Sequence, residues 1–256
     1  MRKIKRIAYI TYQIVIAAPL IILASIITAL ATSLGCIIGR RDFWSYHPPR
    51  LWSRFICHIL LLKVRVRGRE NIEAGKSYIF VSNHQGSFDI FLIYGWLGHN
   101  FKWLMKKGLR YIPLIGTASQ CAGHILVDKS GPKAIKRTID DSRHALRQGN
   151  SIVLFPEGAR TFTGHIGFFT RGAFKLADEL QMPVVPITVN GPFDVLPRTG
   201  MFIHRHPLEL TIHKPIPPSG KGPNNVSHTM KEAHRVVDHG LPEKYQGEVE
   251  NPDQIW

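Results

Sequence analysis

Residues 7–39 contain no charged side chain, and this run constrains the fold more than any other feature of the sequence. Its length of about 33 residues exceeds the roughly 20 that a helix needs to cross the hydrocarbon core of a bilayer. A secretory signal peptide has a shorter apolar region, of about 7–15 residues. We therefore interpret the run as a membrane-embedded helix. Basic residues flank it on both sides: Arg2, Lys3, Lys5, Arg6, Arg40 and Arg41.

The path of the chain after this helix has two alternatives. The helix either crosses the membrane once, or it dips into one leaflet and returns through residues 51–62 (LWSRFICHILLL). That second stretch is too short to span, and it is either an interfacial helix with Trp52 at headgroup level or a helix of the core. Pro48 and Pro49 predict a break in any helix that joins the two stretches. Both alternatives make residues 1–62 a membrane-anchoring helical segment.

The charge of the chain narrows the class of its partners. Lys and Arg outnumber Asp and Glu by 33 to 18, which gives a net charge of +15. Such an excess favours anionic partners, namely nucleic acid, anionic lipid or phosphorylated small molecules. Because the apolar N-terminus places the protein on a membrane, we expect anionic lipid rather than nucleic acid.

The rest of the chain alternates short β-rich runs with amphipathic helical runs. Predicted strands cover 64–68, 77–82, 102–105, 124–128, 151–155, 184–189 and 208–213, and predicted helices cover 89–97, 132–148, 172–180 and 227–239. Ser227 is the expected N-cap of the last helix. This alternation predicts an α/β domain over residues 63–240, with a mostly parallel sheet flanked by helices. The polar tail, residues 241–256, is expected to be loosely held.

Two motifs that could carry chemistry each follow a predicted buried strand. In the first, NHQGSFD at 83–89, His84 and Asp89 can meet if the chain turns after His84, and the carboxylate would then orient the imidazole as a base. Alternatively, His84 only caps the next helix. In the second, FPEGAR at 155–160, Arg160 offers a fork for phosphate. The alternative is a structural turn with an ion pair between Glu157 and Arg160.

Two further blocks are less specific. KKGLRYIPLIG at 106–116, followed by HILVDK at 124–129, supplies several cations, or is simply a solvated charge run. MPVVPI at 182–187 has two prolines around the start of a strand, which indicates only local shape. The sequence contains no GxSxG, no HExxH, no phosphate-loop motif and no histidine spacing suited to zinc. No metal site is predicted.

Taken together and in this order, the four blocks resemble the glycerophospholipid acyltransferase family, most closely its bacterial 1-acyl-sn-glycerol-3-phosphate acyltransferases. The resemblance covers roughly residues 60–215, including the FTRGAF stretch at 169–174. Four substitutions depart from the family pattern: Gly86 for Ser, Gly108 for Glu, Ala159 for Thr and Lys129 for Arg. They leave His84, Asp89, Glu157 and Arg160 in place.

The resemblance implies an enzyme of phospholipid biosynthesis that acts without a covalent intermediate. His84 would be the general base and Asp89 its partner in acylating the sn-2 hydroxyl of lysophosphatidic acid, which gives phosphatidic acid. Acyl-CoA or acyl carrier protein would be the donor, with no metal or prosthetic group. The enzyme would lie on the cell membrane, in contact with its anionic lipids, with the catalytic domain on the cytoplasmic face. The acceptor phosphate would be held by a set that Arg160 leads: Arg160, Glu157, Gly158, Lys106, Lys107, Lys129 and Arg171.

Other functions stay open on sequence grounds. The same chemistry could use another acceptor, such as glycerol-3-phosphate, another lysophospholipid or a lyso-aminolipid. A non-catalytic, membrane-anchored binder of anionic lipid would need neither the His84–Asp89 pair nor Glu157. A soluble nucleic-acid binder is disfavoured by the apolar N-terminus. The sequence does not determine acyl-chain length, donor, oligomeric state or whether the anchor crosses fully.

Overall fold

The computed structural model describes residues 2–128 and 130–247, and its centre is a seven-stranded sheet with helices on both faces. The strands are β1 (Val64–Arg67), β2 (Ile79–Ser82), β3 (Phe101–Lys106), β4 (Ile125–Val127), β5 (Ser151–Leu154), β6 (Val184–Asn190) and β7 (Leu208–Ile212). The helices are α1 (Arg2–Tyr12), α2 (Ala18–Ile38), α3 (Arg41–Ile59), α4 (Phe88–Trp96), α5 (Ile115–Cys121), α6 (Pro132–Arg147), α7 (Gly172–Leu180), α8 (Pro192–Val195) and α9 (Pro223–His239).

The sheet confirms the predicted fold class. Its strand order is β1-β7-β6-β2-β5-β3-β4, and all neighbours are parallel except β6 and β7. The central strand β2 lies between β5 and β6, with Ile79 paired to Ile152 on one side and to Val184 on the other. Because these three strands run in the same direction, the loops that follow them meet at one edge of the sheet.

Alternate side chains of the strands build two cores, one on each face of the sheet. Phe80, Val153 and Val185 belong to the core under α3 and α4, whereas Ile79 and Ile152 belong to the core under α6, α7 and α9. This alternation follows from the pleat, which sends successive side chains of a strand to opposite faces. Burial on both faces is the reason that these strands are continuous apolar runs.

The N-terminal helix is long and exposed. A run of 35 residues, Ile4–Ile38, is apolar and long enough to cross a membrane, and only 6% of its most apolar 18-residue stretch is buried. Such exposure is not that of a core helix and favours association with a membrane. A π-helical turn, Gln13–Ala17, connects α1 to α2. The helix ends at Gly39 and Arg40, both with positive φ, and the chain then returns along α2 as α3.

One expectation for this region needs correction. Pro48 and Pro49 do not break the helix but lie inside α3, where each removes one backbone hydrogen bond. Packing compensates for that loss, since α3 buries Tyr46 and Ile56 against the globular domain. One side of residues 51–62 lies in the core, where Ile56, Cys57 and Leu60 are buried. Leu51, Phe55 and Leu61 are exposed on the other side, whose contact with the membrane interface stays a prediction.

Two expectations at the C-terminal end are also wrong. The last helix begins at Pro223, four residues before Ser227, because proline suits the first turn and Asn225 is held there by Asp178 (Nδ2 to Oδ1, 2.7 Å). The start of the polar tail is packed rather than loose: Leu241 and Tyr245 belong to the core. The Tyr245 hydroxyl donates to Asp194 (2.8 Å). Residues 248–256 of the predicted tail lie outside the described residues.

Candidate active site

The loop between β2 and α4 brings His84 and Asp89 together. The chain turns at residues 83–87, and Asp89 lies in the first turn of α4. Nδ1 of His84 is 2.6 Å from Oδ2 of Asp89, and the same oxygen accepts a hydrogen bond from the Gly86 N–H (2.9 Å). The turn therefore closes the gap of five positions that a single helix face could not close.

Glycine at position 86 meets a packing requirement of this turn. A Cβ built there would lie 2.9 Å from the carbonyl oxygen of Pro192, which belongs to the loop after β6. Nearly every larger residue would push the two loops apart. The close approach explains why glycine suits this position in the turn that carries His84.

The environment of the pair suits a base with a buried partner. Asp89 is completely buried, which raises the pKa of its carboxyl, whereas the hydrogen bonds from His84 and Gly86 favour its charged form. With Nδ1–H donated to Asp89, the lone pair of the imidazole is on Nε2. The His84 side chain is 17% exposed, and within the described part of the chain nothing hydrogen-bonds to its Nε2. This nitrogen is available to a substrate.

The loop after β5 holds His84 from its other sides. The imidazole stacks on the Phe155 ring with centroids 3.9 Å apart. The backbone N–H of His84 donates to Oε1 of Glu157 (2.7 Å), and the backbone carbonyl of His84 accepts from the Thr161 N–H (2.9 Å). These contacts fix both the backbone and the ring plane of His84 before any substrate binds.

Glu157 hydrogen-bonds to the backbone of the site and forms no ion pair with Arg160, so the ion-pair alternative is wrong. Its carboxyl is buried between two loops, where the second oxygen accepts from the Gly167 N–H (2.9 Å). Burial raises the pKa of Glu157 to about 8, against the opposing effect of the two N–H donors. Glu157 therefore organises the backbone at His84, whereas the sequence places it in the phosphate set.

Arg160 lies beside the loop of residues 83–87, which carries His84. One of its Nη1–H groups donates to the Ser87 hydroxyl (2.7 Å), three residues along the chain from His84. The Arg160 carbonyl accepts from Nη1 of Arg198 (3.0 Å). Gly158 has φ of +77°, a left-handed conformation that glycine adopts without strain, and it lets the loop turn towards Ser87. Arg160 thus contacts the loop that carries His84 through Ser87.

The other predicted cations make different contacts. Lys106 ends β3, and Lys107 forms an ion pair with Asp128 (2.7 Å) that holds the pKa of this carboxyl at about 2. Arg171 is exposed just before α7. None of these three has a described contact with His84, Asp89 or Arg160. Lys129 lies outside the described residues.

Sequence reasoning missed several residues that build the site. Ser87 orients Arg160, Phe155 supports the imidazole, and Thr161 anchors the His84 carbonyl. Asn83 joins the loop of residues 83–87 to β6, since its side-chain amide exchanges two hydrogen bonds with the backbone of Val189 (2.9 and 2.8 Å). Ser87, Phe155 and Asn83 all lie inside the two motifs already quoted, so their position next to the candidate residues was the available signal.

No cluster suited to a metal accompanies this site. Within residues 2–128 and 130–247, no group of three or more His, Cys, Asp or Glu side chains is placed to hold a metal ion.

Known proteins are similar to this chain in sequence and in fold. Residues 63–190 match the family model described as Acyltransferase, half of the chain. A chloroplastic 1-acyl-sn-glycerol-3-phosphate acyltransferase of Arabidopsis thaliana is 34% identical over 65% of this chain and 47% of its own length. A 1-acyl-sn-glycerol-3-phosphate acyltransferase of Pseudomonas aeruginosa is 28% identical over 79% of this chain and 80% of its own. The chain spans about half the length of the chloroplastic relatives it matches.

The fold is similar to a solved structure over nearly its whole length. The crystal structure of the 1-acyl-sn-glycerophosphate acyltransferase PlsC from Thermotoga maritima superposes with a TM-score of 0.75. The match covers 94% of this chain and 96% of that chain, at 24% sequence identity. The shared architecture therefore includes the N-terminal helices as well as the sheet.

Proposed function

This chain belongs to the acyltransferase family, and we propose that it transfers a fatty acyl group from a thioester to the sn-2 hydroxyl of 1-acyl-sn-glycerol-3-phosphate. The observation that carries the proposal is the contact between Nδ1 of His84 and Oδ2 of Asp89, which leaves Nε2 free at the edge of the sheet. Relatives named for this reaction in bacteria, plants and humans support the choice of acceptor.

In this mechanism Nε2 of His84 takes the proton of the acceptor hydroxyl while that oxygen attacks the thioester carbonyl. The buried carboxylate of Asp89 stabilises the imidazolium that forms and keeps the proton of Nδ1 in place. The tetrahedral intermediate collapses with loss of the thiolate, which receives the proton from the imidazolium. Because a thiolate is a good leaving group, the route needs no acyl-enzyme, metal or prosthetic group.

The acceptor phosphate would meet Arg160. The guanidinium already touches Ser87, at the start of the helix that carries Asp89, so a phosphate bound there brings its glycerol hydroxyl towards His84. Gly158 contributes the turn, and Lys106, Lys107, Lys129 and Arg171 would add positive charge around the entrance. Glu157 takes no direct part, because both of its oxygens are engaged with backbone N–H groups.

The donor and the location are part of the same proposal. The donor would be acyl-CoA or acyl carrier protein, both soluble thioesters of the cytoplasm, so the catalytic edge would face the cytoplasmic surface of the cell membrane. The exposed apolar helix Ile4–Ile38 would anchor the protein there. The net charge of +15 would add attraction to anionic lipid.

The test is an assay of the purified full-length protein in detergent with lysophosphatidic acid and each thioester in turn. The expected product is phosphatidic acid, formed in proportion to the thiol released, with His84→Ala as the inactive control. A panel of glycerol-3-phosphate, other lysophospholipids and lyso-aminolipids should give slower turnover. Acylation of one of these in preference to lysophosphatidic acid would move the proposal to that acceptor, and no thiol release with any acceptor would end it.

A further inference from the structure

Gln13 is the one amide side chain in the uncharged run of residues 7–39. It begins the π-helical turn Gln13–Ala17 and is 7% exposed, although most of the surrounding helix is open to lipid. A buried amide without partners is costly, and π-helical turns often occur at functional positions. The placement of Gln13 therefore calls for an explanation other than membrane anchoring.

Both ends of the Gln13 amide are paired with the backbone of one residue. Nε2 donates to the carbonyl oxygen of Ile203 (2.8 Å), and Oε1 accepts from the Ile203 N–H (3.1 Å). Ile203 belongs to the segment between α8 and β7, residues 197–206, which we call the bridging segment. This two-way pairing joins positions 190 residues apart in the sequence and fixes the register between the anchor helix and the bridging segment.

The other end of the bridging segment reaches the candidate active site. Arg198 donates from Nη1 to the carbonyl oxygen of Arg160 (3.0 Å), and its guanidinium lies 4.1 Å from the centre of the Phe162 ring. A turn from Gly200 N–H to Pro197 O (2.9 Å) encloses Arg198, and beside Ile203 the His204 N–H donates to the Val195 carbonyl (2.8 Å). The bridging segment is thus attached to the anchor helix at Ile203 and to the backbone of Arg160 at Arg198, and residues 199–202 connect the two points along the chain.

We propose that Gln13 is a positioning residue that couples the membrane anchor to Arg160 through the bridging segment. A lipid acceptor stays in the bilayer while it reacts, so the depth of the phosphate-binding side chain relative to the anchor decides whether the acceptor fits. Gln13 sets that depth without touching the substrate. The inference rests on the proposed function, since it assigns Arg160 to a lipid phosphate.

The first test is Gln13→Met, which keeps the length of the side chain and removes both hydrogen bonds. Two buried hydrogen bonds are lost, so the apparent KM for lysophosphatidic acid in vesicles should rise about tenfold. The kcat and the KM for the thioester should stay within about twofold. Ser25→Ala is the matched control, because it removes an anchor hydrogen bond that Oγ of Ser25 accepts from Nε1 of Trp52 in α3 (2.9 Å). An equal effect of the two substitutions, or no effect of Gln13→Met, would overturn the coupling.

The route of the coupling is tested with Arg198→Ala and the double variant. If Gln13 acts through the bridging segment, the two substitutions break one connection, and the double variant should be little worse than either single one. Effects on acceptor KM that multiply independently would show that Gln13 does not act through Arg198.

A measurement without substrate separates this inference from the proposed function. In Gln13→Met, trypsin should cut after Arg198 several times faster than in wild type, because the segment has lost its attachment. Cleavage after Arg235, on the exposed side of α9, serves as the internal control. Unchanged cleavage at Arg198 would refute the attachment even if acyl transfer is confirmed. If Gln13→Met is cleaved faster but the wild-type protein does not acylate lysophosphatidic acid, the attachment is supported and the proposed function is rejected.

Discussion

Nδ1 of His84 lies 2.6 Å from Oδ2 of Asp89, a carboxyl group that is completely buried beneath the imidazole. The pair is held by the turn at Gly86 on one side and by the loop after β5 on the other. Since each support pairs a backbone N–H with a buried carboxyl oxygen, the geometry exists before substrate binds. This preorganisation is the basis of the first two predictions.

His84→Ala should lower turnover by roughly 10²–10⁴, the usual contribution of a positioned base. The imidazole is removed, but the backbone contacts of position 84 to Glu157 and Thr161 remain available to alanine, so the protein should stay folded. Steady-state rates are compared at saturating substrate, with circular dichroism and membrane fractionation as controls. Near-normal turnover in a folded variant would remove His84 from the role of base.

Asp89→Asn should also be severe, for a different reason. The substitution nearly preserves the shape of the side chain but removes the charge that stabilises the imidazolium, and an amide N–H facing Nδ1 favours the wrong tautomer. We expect a loss in kcat of about 10²-fold or more with little change in either KM. A defect confined to the KM of the acceptor would instead assign Asp89 to substrate binding.

Arg160→Lys should lower kcat/KM for lysophosphatidic acid by about one to two powers of ten. Lysine keeps the charge but loses the fork that would hold the phosphate beside Ser87, and one charge-assisted hydrogen bond contributes about 1.5–3 kcal/mol. The KM of the thioester should change little. The measurement is a pair of titrations, one in acceptor and one in donor, with Arg235→Lys as the control on exposed α9. If the defect appears only when the thioester concentration is varied, Arg160 binds the phosphates of the thioester donor instead.

Glu157 leads to a prediction about pH. Burial raises the pKa of its carboxyl from 4.5 to about 8, so the folded protein holds this proton more tightly than the unfolded chain. The corresponding stability is complete below about pH 4.5 and is lost as the pH rises through about 8. Over that interval the free energy of unfolding should fall by up to about 1.4 kcal/mol per pH unit relative to Glu157→Gln, which cannot titrate.

Thermal unfolding of both proteins in the same detergent, at several pH values between about 5 and 8, measures this difference. Other titrating groups are common to the two proteins and cancel. Parallel stability curves would show that Glu157 does not hold a proton in this range.

The anchor is tested by placing charge on its exposed face. Ile27 and Leu34 of α2 are both 57% exposed, and lysine at such positions costs about 2.5–3.5 kcal/mol in the centre of a bilayer. The double variant Ile27→Lys, Leu34→Lys should leave much of the protein in the soluble fraction. Ile135→Lys, an equally drastic change at a 51% exposed position of α6, should leave membrane binding unchanged. Full membrane retention of the double variant at high salt would locate the main attachment elsewhere.

The sequence by itself determined the architecture and the place of the site, because both depend on local periodicity. Alternating or continuous apolar runs such as β2 and β5 predicted buried strands, and the helical periods between them required a parallel sheet. The motifs at His84 and Arg160 each follow a predicted buried strand, and the loops at the carboxyl ends of parallel strands are where ligands bind in such sheets.

Only the tertiary structure decided which contacts those loops make with each other. Glu157 contacts the His84 backbone across 73 positions of the chain, and Gly86 is required by the carbonyl of Pro192. Similarly, Pro48 and Pro49 remain helical because α3 packs on the domain, against their local preference. These outcomes depend on the free energy of contacts between distant segments, and no periodicity within a single segment contains that information.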